Sequence, residues 1–282
     1  SEGANDTDLV QGIAFYQLVK DLEEHFDEKK EALSDTLERL AGRIFCQDNL
    51  MVSIGAEPEG MEKAEGEIAG IRAVLASKAE KMPKAQIRLE KKNEGFLDAS
   101  QVQYVSRAGN FKKQGYEYTG ALRILKVLLS YDYLWINVRV KGGAYGCMSG
   151  FGRNGDGYFT SYRDPNLGAT NEVYEGVPEY LENFQVGEEE MTKYIIGTFS
   201  GVDAPLTPSA KTVRSATAYL TGLTEEMLQK EREEILGATQ EDIRRLAGIV
   251  RAILKEGAFC AIGNEQKLKE EEGLFLGLKN LY

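Results

Sequence analysis

The sequence predicts an α+β fold in which helices pack on a mainly antiparallel sheet. Three observations lead there. Apolar residues recur at three- and four-residue spacing in several segments, the period of a helix with one buried face. Short apolar runs closed by glycine interrupt those segments and suit buried strands. The tight-turn run Asn154-Gly155-Asp156-Gly157 separates two further strand-like runs, so a hairpin stands where a parallel sheet would need a crossover helix.

In chain order, Phe15, Leu18, Val19, Leu22 and Phe26 line a first helix, and Leu33, Leu37, Leu40, Ala41 and Ile44 a second. Residues 49–57 read as a buried strand ending at Gly55, and an acidic helix follows with Ile68, Ile71 and Leu75 on one side. Residues 77–86, polar and holding Pro83, read as a connection. Val102 and Tyr104 mark a strand. Tyr118 to Tyr133 is apolar nearly all round, the mark of a buried helix. Two strands are then expected, at 138–151 and 157–164. Val173, Val177, Tyr180, Leu181 and Phe184 give a helix interrupted near Gly176 and Pro178. Glu188, Glu189 and Glu190 open the next, where carboxylates favour the positive end of the helix dipole. A capping box of Thr239 and Asp242 starts a helix carrying Leu246, Ala247, Val250, Ile253 and Leu254, followed by a strand at 258–263 and an acidic helix.

The two ends of the chain echo each other. The letters RLAG occur at Arg39–Gly42 and at Arg245–Gly248, and the strand-like runs close at Ile54-Gly55 and Ile262-Gly263. Helix, strand, glycine and acidic helix in the same order suggest a duplicated domain. On that reading residues 1–80 are the C-terminal part of a truncated α/β domain, and 84–282 form a complete homologous one. The absence of an initiator Met agrees with a processed or truncated chain.

Composition narrows the function. The chain has 282 residues and a net charge of −11, unsuited to neutralising nucleic-acid phosphates and better suited to cationic peptides. No apolar run approaches a membrane span and no signal pattern opens the chain, so no membrane partner is expected and a cytoplasmic location is. Cys46, Cys147 and Cys260 form no C-x-x-C pair and read as buried thiols. One histidine, His25, cannot build a His/Cys zinc site, and reads as a solvated helix residue. Gly150-Phe-Gly152-Arg-Asn-Gly155 spells a dinucleotide fingerprint, but it leads into a strand where that motif needs a helix.

One stretch stands out: Arg139 and Tyr145 flank Gly142 and Gly143. Glycines within a strand mark a bulge, or a place where another backbone comes close, and a peptide could add to such an edge. Arg139 would bring a fork of charged donors, and Tyr145 an O–H able to meet a developing oxyanion. The residues alone leave a second reading open, a structural bulge with a core tyrosine and a surface arginine.

The block at 138–151, followed by Gly157–Asn166 and preceded by the apolar helix and by residues 93–111, resembles the C-terminal half of the insulinase/pitrilysin family of zinc metallopeptidases, in its presequence-protease-like branch. The resemblance implies tandem homologous domains in two halves closing around a chamber. It implies that Arg139 and Tyr145 contact the substrate and its oxyanion, with Gly142, Gly143 and Ala144 lining the peptide. It places zinc in the N-terminal half, through an inverted H-x-x-E-H motif that one histidine cannot supply, so no metal is expected in this chain. The partners implied are that half and a peptide substrate, and the chain alone is expected to be inert. The alternative is a natural zinc-free subunit that binds peptides or serves as a scaffold.

Overall fold

The computed structural model describes residues 2–77 and 93–281. The chain opens with α1 (Glu2–Gln11), α2 (Ile13–Glu24), α3 (Phe26–Ile44) and α4 (Pro58–Val74). Strands β1 (Glu94–Asp98) and β2 (Gln103–Asn110) precede α5 (Ala121–Leu128), which continues in wide π-helical turns over Leu129–Tyr133 and Trp135–Lys141. The hairpin β3 (Gly146–Phe151) and β4 (Asp156–Asp164) follows, then α6 (Gly168–Glu175), α7 (Val177–Glu182), α8 (Glu188–Val202) and α9 (Pro208–Thr221). The chain closes with α10 (Glu225–Leu236), α11 (Gln240–Glu256), β5 (Ala258–Asn264), α12 (Glu265–Glu270) and β6 (Gly277–Asn280).

These elements form two compact units. Described residues 93–204 and 225–281 make one, and 2–77 with 205–224 the other. The smaller unit is helical. Its α2 and α3 carry the apolar spacing read from the sequence, yet Phe15, Leu18, Val19, Leu37 and Ile44 are exposed. The helices meet at His25, an exposed residue whose Nδ1 lies 3.1 Å from the Asp21 carbonyl oxygen. The strand expected at 49–57 is not one. Residues 50–57 are irregular and Met51 and Val52 are exposed. A strand needs a neighbour to take its backbone hydrogen bonds, and the described chain offers only an isolated bridge from Cys46 to Ala76 there. At this end of the chain the order is therefore helix, irregular segment and helix. The connection expected at 77–86 lies, from residue 78 on, outside the described residues.

The larger unit holds a six-stranded sheet in the order β3-β4-β2-β5-β1-β6. The pairs β3–β4, β4–β2 and β2–β5 are antiparallel, while β1 runs parallel to both β5 and β6. The sheet is thus mostly antiparallel. Val105, Phe159, Phe259 and Ala261 turn to one face and are buried there with Leu122, Ile124, Leu125 and Leu128 of α5 and Leu246, Val250 and Ile253 of α11. Each fully buried side chain of this size contributes about 1.5–3 kcal/mol, so this layer fixes the unit. The opposite face aligns Met148, Thr160, Ser106 and Cys260 across four strands and leaves Tyr104 and Tyr158 exposed.

Helix ends follow the sequence. Thr239 and Asp242 form the expected capping box, the interruption near Gly176 separates α6 from α7, and Glu188–Glu190 open α8. Of the three cysteines only Cys46 is fully buried; Cys147 and Cys260 are half-buried. The main departure concerns 138–151. The strand starts at Gly146, and Val138–Lys141 are the last helical turn. Alternating Val138 and Val140 imitate a strand, but Val138 belongs to the core beneath the continuing helix while Val140 is exposed. Strand β1, the edge strand β6, and helices α9 and α10 had no counterpart in the sequence reading.

A buried ion cluster ties α10 to the hairpin. Glu231, 3% exposed, receives the Arg123 guanidinium at 2.7 Å, the Tyr118 hydroxyl at 2.8 Å and a close contact from Arg153 in the β3–β4 turn. Desolvation, helped by the Glu231 charge, pushes the Tyr118 phenol up to about 12, so it stays a donor. Glu231→Ala strands these donors and should cost roughly 3–5 kcal/mol; urea unfolding of the chain measures it, with Glu231→Gln expected to lose less.

Candidate functional site

The two glycines between Arg139 and Tyr145 end a helix. Gly143 is left-handed, with φ +82°, the conformation that closes helices and that glycine adopts freely. Its N–H donates to the Arg139 carbonyl at 2.9 Å, and the Ala144 N–H reaches the Val138 carbonyl at 3.2 Å. This is a Schellman-like closure widened by one residue, as suits a helix that has already widened into π turns. At Gly142 the restriction is steric: a Cβ would lie 2.5 Å from the Val138 carbonyl oxygen. The Gly142 carbonyl accepts from Asn166 Nδ2 at 2.6 Å. Asn166 is itself held through its N–H by Asp164, a fully buried carboxylate that also accepts from the Thr170 hydroxyl at 2.8 Å.

This turn reverses the chain and brings Tyr145 back beside Arg139. The Arg139 guanidinium lies 4.1 Å from the Trp135 ring centre, one helical turn earlier, and 6.0 Å from the Tyr145 ring. Tyr145 is 58% exposed, so the core-tyrosine reading does not hold. Its ring meets Tyr162 edge-on at 5.5 Å, and the Arg163 guanidinium lies 5.6 Å from it. Among the described residues neither Arg139 nor Arg163 has a carboxylate partner, a state shared with Arg39, Arg72 and Arg214, whereas Arg107, Arg123, Arg153, Arg232, Arg244, Arg245 and Arg251 all have one. Two guanidiniums are therefore free to meet a ligand in a chain with an excess of acids.

The remaining predicted residues lie in the same place. Gly143 is exposed on the turn, while Gly142 and Ala144 are engaged beneath it, Ala144 being buried. The open strand edge follows directly, because among the described residues β3 pairs only with β4 and ends the sheet. Gly146 lets Tyr162 lie flat across β3, since a Cβ there would stand 2.4 Å from that ring; Gly150 does the same for Tyr158. Sequence reasoning missed Trp135, Tyr162 and Arg163. The four-residue spacing of Trp135 and Arg139 could have revealed the first, had 138–141 been read as helix.

Among the described residues no group of three or more His, Cys, Asp or Glu could hold a metal ion. Gly150 lies within β3 and Gly155 in the hairpin turn, with no helix N-terminus behind them to receive a pyrophosphate. Burial pushes the Cys147 thiol up to about 11, against a smaller opposing pull from Arg139, which favours the protonated thiol at neutral pH. Among the described residues no helix is long and apolar enough to cross a membrane.

The sequence model of one family, the PreP C-terminal domain, matches residues 93–264. Protein HypA of Clostridium perfringens is 40% identical over 281 residues, covering all of this chain and 29% of that protein. Presequence protease 1, chloroplastic/mitochondrial, of Arabidopsis thaliana is 31% identical over 268 residues, 93% of this chain and 24% of the relative. The chain thus spans less than a third of the length of these relatives. Among solved structures, a peptidase M16 inactive domain from Pseudomonas fluorescens shares the fold, with a TM-score of 0.50 at 17% identity over 79% of this chain and 53% of that one.

Two measurements check the geometry. Gly143→Ala should cost about 1–2 kcal/mol for its left-handed backbone and Gly142→Ala more, read as loss of midpoint in thermal unfolding. In a variant keeping Cys147 as its one cysteine, iodoacetamide labelling should accelerate about tenfold per pH unit up to pH 10; a plateau near pH 8 would contradict the raised thiol.

Proposed function

Because the chain belongs to the PreP C-terminal domain family, we propose that it is the C-terminal, zinc-free part of a metalloendopeptidase that degrades peptides, and that the Arg139–Tyr145 face is its share of the active site. The observation that carries this reading is the exposed Tyr145 near two guanidiniums without carboxylate partners, at the head of an edge strand. The parent enzyme's other half would hold the zinc, whose chemistry is polarisation of the scissile carbonyl and activation of water. The work of this chain is different. Strand β3 offers a peptide its free edge, fixing the substrate backbone by main-chain hydrogen bonds. Gly142, Gly143 and Ala144 keep the turn thin enough for that backbone to approach. The Tyr145 O–H donates a hydrogen bond to the carbonyl oxygen as negative charge grows on it, and Arg139, steadied by Trp135, holds the neighbouring part of the peptide.

The domain reading belongs to the same proposal: residues 84–282 are the enzyme's last domain, and 1–80 the tail of the homologous domain before it, in two halves that enclose the substrate. So does the expected cytoplasmic location. The relatives' names also include chloroplastic/mitochondrial and mitochondrial proteins, so the compartment is a matter for the complete protein. Without its other half the chain is expected to hydrolyse nothing.

Tyr145→Phe in the complete enzyme tests the assignment. Losing one oxyanion donor lowers turnover about 10²- to 10³-fold, and kcat should fall in that range with KM little changed. A wild-type kcat would remove Tyr145 from the site and favour a peptide-binding or scaffold role for the chain.

A further inference from the structure

Strand β4 breaks its own alternation two residues before it ends. Opposite Val105 stands Ser161, and opposite Gln103 stands Asp164. Two residues of β4, Tyr162 and Arg163, thus face one of β2, Tyr104, which defines a β-bulge. Among the described residues Arg163 is also the one non-glycine with positive φ, at +49°. A non-glycine in the left-handed region costs about 1–2 kcal/mol, and such strain persists only where the surroundings impose it.

The surroundings do impose it. Tyr145 donates its N–H to the Arg163 carbonyl at 3.2 Å on one side of the bulge, and the buried Asp164 anchors the other. Regular alternation would send Arg163 to the face of Phe159 and Ser161, beneath the helices. The bulge turns it outward, so that its guanidinium stands 5.6 Å from the Tyr145 ring with no carboxylate partner among the described residues. Arg139 approaches the same ring at 6.0 Å. A charged residue has been moved out of the covered layer and set beside the tyrosine.

We propose that Arg163 is a further substrate-positioning residue, and that with Arg139 it forms a two-guanidinium clamp around Tyr145 that takes a carboxylate of the bound peptide. The planar fork of arginine matches a carboxylate in two parallel hydrogen bonds, and two unpaired forks in an acidic chain favour an anionic group over a neutral one. That carboxylate is either the peptide's C-terminus or an acidic side chain near the scissile bond. The inference rests on the site reading above, but the two can fail separately.

The experiment uses the complete enzyme and four fluorogenic peptides of one sequence: parent, C-terminally amidated, with its glutamate replaced by glutamine, and with both changes. Arg163→Asn and Arg163→Gly both tolerate a left-handed backbone, so each should unfold at a midpoint no lower than wild type. Each should raise KM for the parent peptide about 10- to 100-fold, as expected for a lost charged hydrogen bond, with kcat little changed. The doubly neutral peptide should be cleaved equally well by wild type and variant. Whichever single change already abolishes the difference names the carboxylate. An Arg163 effect equal for all four peptides, or none for any, would overturn the clamp while leaving Tyr145 untouched. A Tyr145→Phe enzyme with full activity would instead overturn the site itself.

Discussion

Everything proposed for this chain depends on the turn at Gly142 and Gly143. A helix must end, reverse and enter a strand within a few residues, and it must do so with Arg139 and Tyr145 on one side. Gly143 takes the left-handed backbone that permits the reversal, and Gly142 the space against the Val138 carbonyl. The Asn166 amide on the Gly142 carbonyl locks the turn to the segment after β4. A bulkier or looser connection would let Tyr145 swing away from Arg139, and oxyanion stabilisation relies on donors fixed before the charge appears.

The turn is precise because both of its arms are anchored. The helix arm is sunk in the core through Leu128, Leu129, Leu134 and Val138, all essentially inaccessible to solvent. The strand arm pairs along its length with β4, from Gly146 opposite Tyr162 to Phe151 opposite Gly157. At its far end the hairpin turn is tied through Arg153 to the buried Glu231. Anchored elements therefore flank the exposed tyrosine on both sides. The left-handed Arg163 fits this pattern, since only a well-anchored frame can hold a strained residue.

Much of this was legible in the sequence, and the misses have physical causes. The capping box, the acidic start of α8 and the hairpin glycines are local signals, and each gave its element correctly. The apolar segment beginning at Tyr118 was legible as a buried helix but not in its length. The alternation of Val138, Arg139, Val140 and Lys141 mimics a strand, and nothing local reveals that the preceding helix is still running. Residues 49–57 failed for the opposite reason: their composition suits a strand, but strands form only beside a partner, and pairing is not a local property. Edge strand β6, with exposed Gly277, Lys279 and Asn280, shows no buried alternation to detect. The nearness of Arg139 and Tyr145 was legible from the glycines between them. Arg163 was not, because its placement follows from a bulge that only the register against β2 exposes.

The central claim is that Tyr145 and Arg139 meet the peptide backbone in the assembled enzyme. A crystal structure of the complete protein with a slowly cleaved peptide tests it most directly. The account predicts an extended peptide beside β3, with the Tyr145 hydroxyl about 2.5–3.0 Å from the scissile carbonyl oxygen and the Arg139 guanidinium bonded to the next part of the chain. A peptide held elsewhere, with the Tyr145 hydroxyl in solvent, would contradict it.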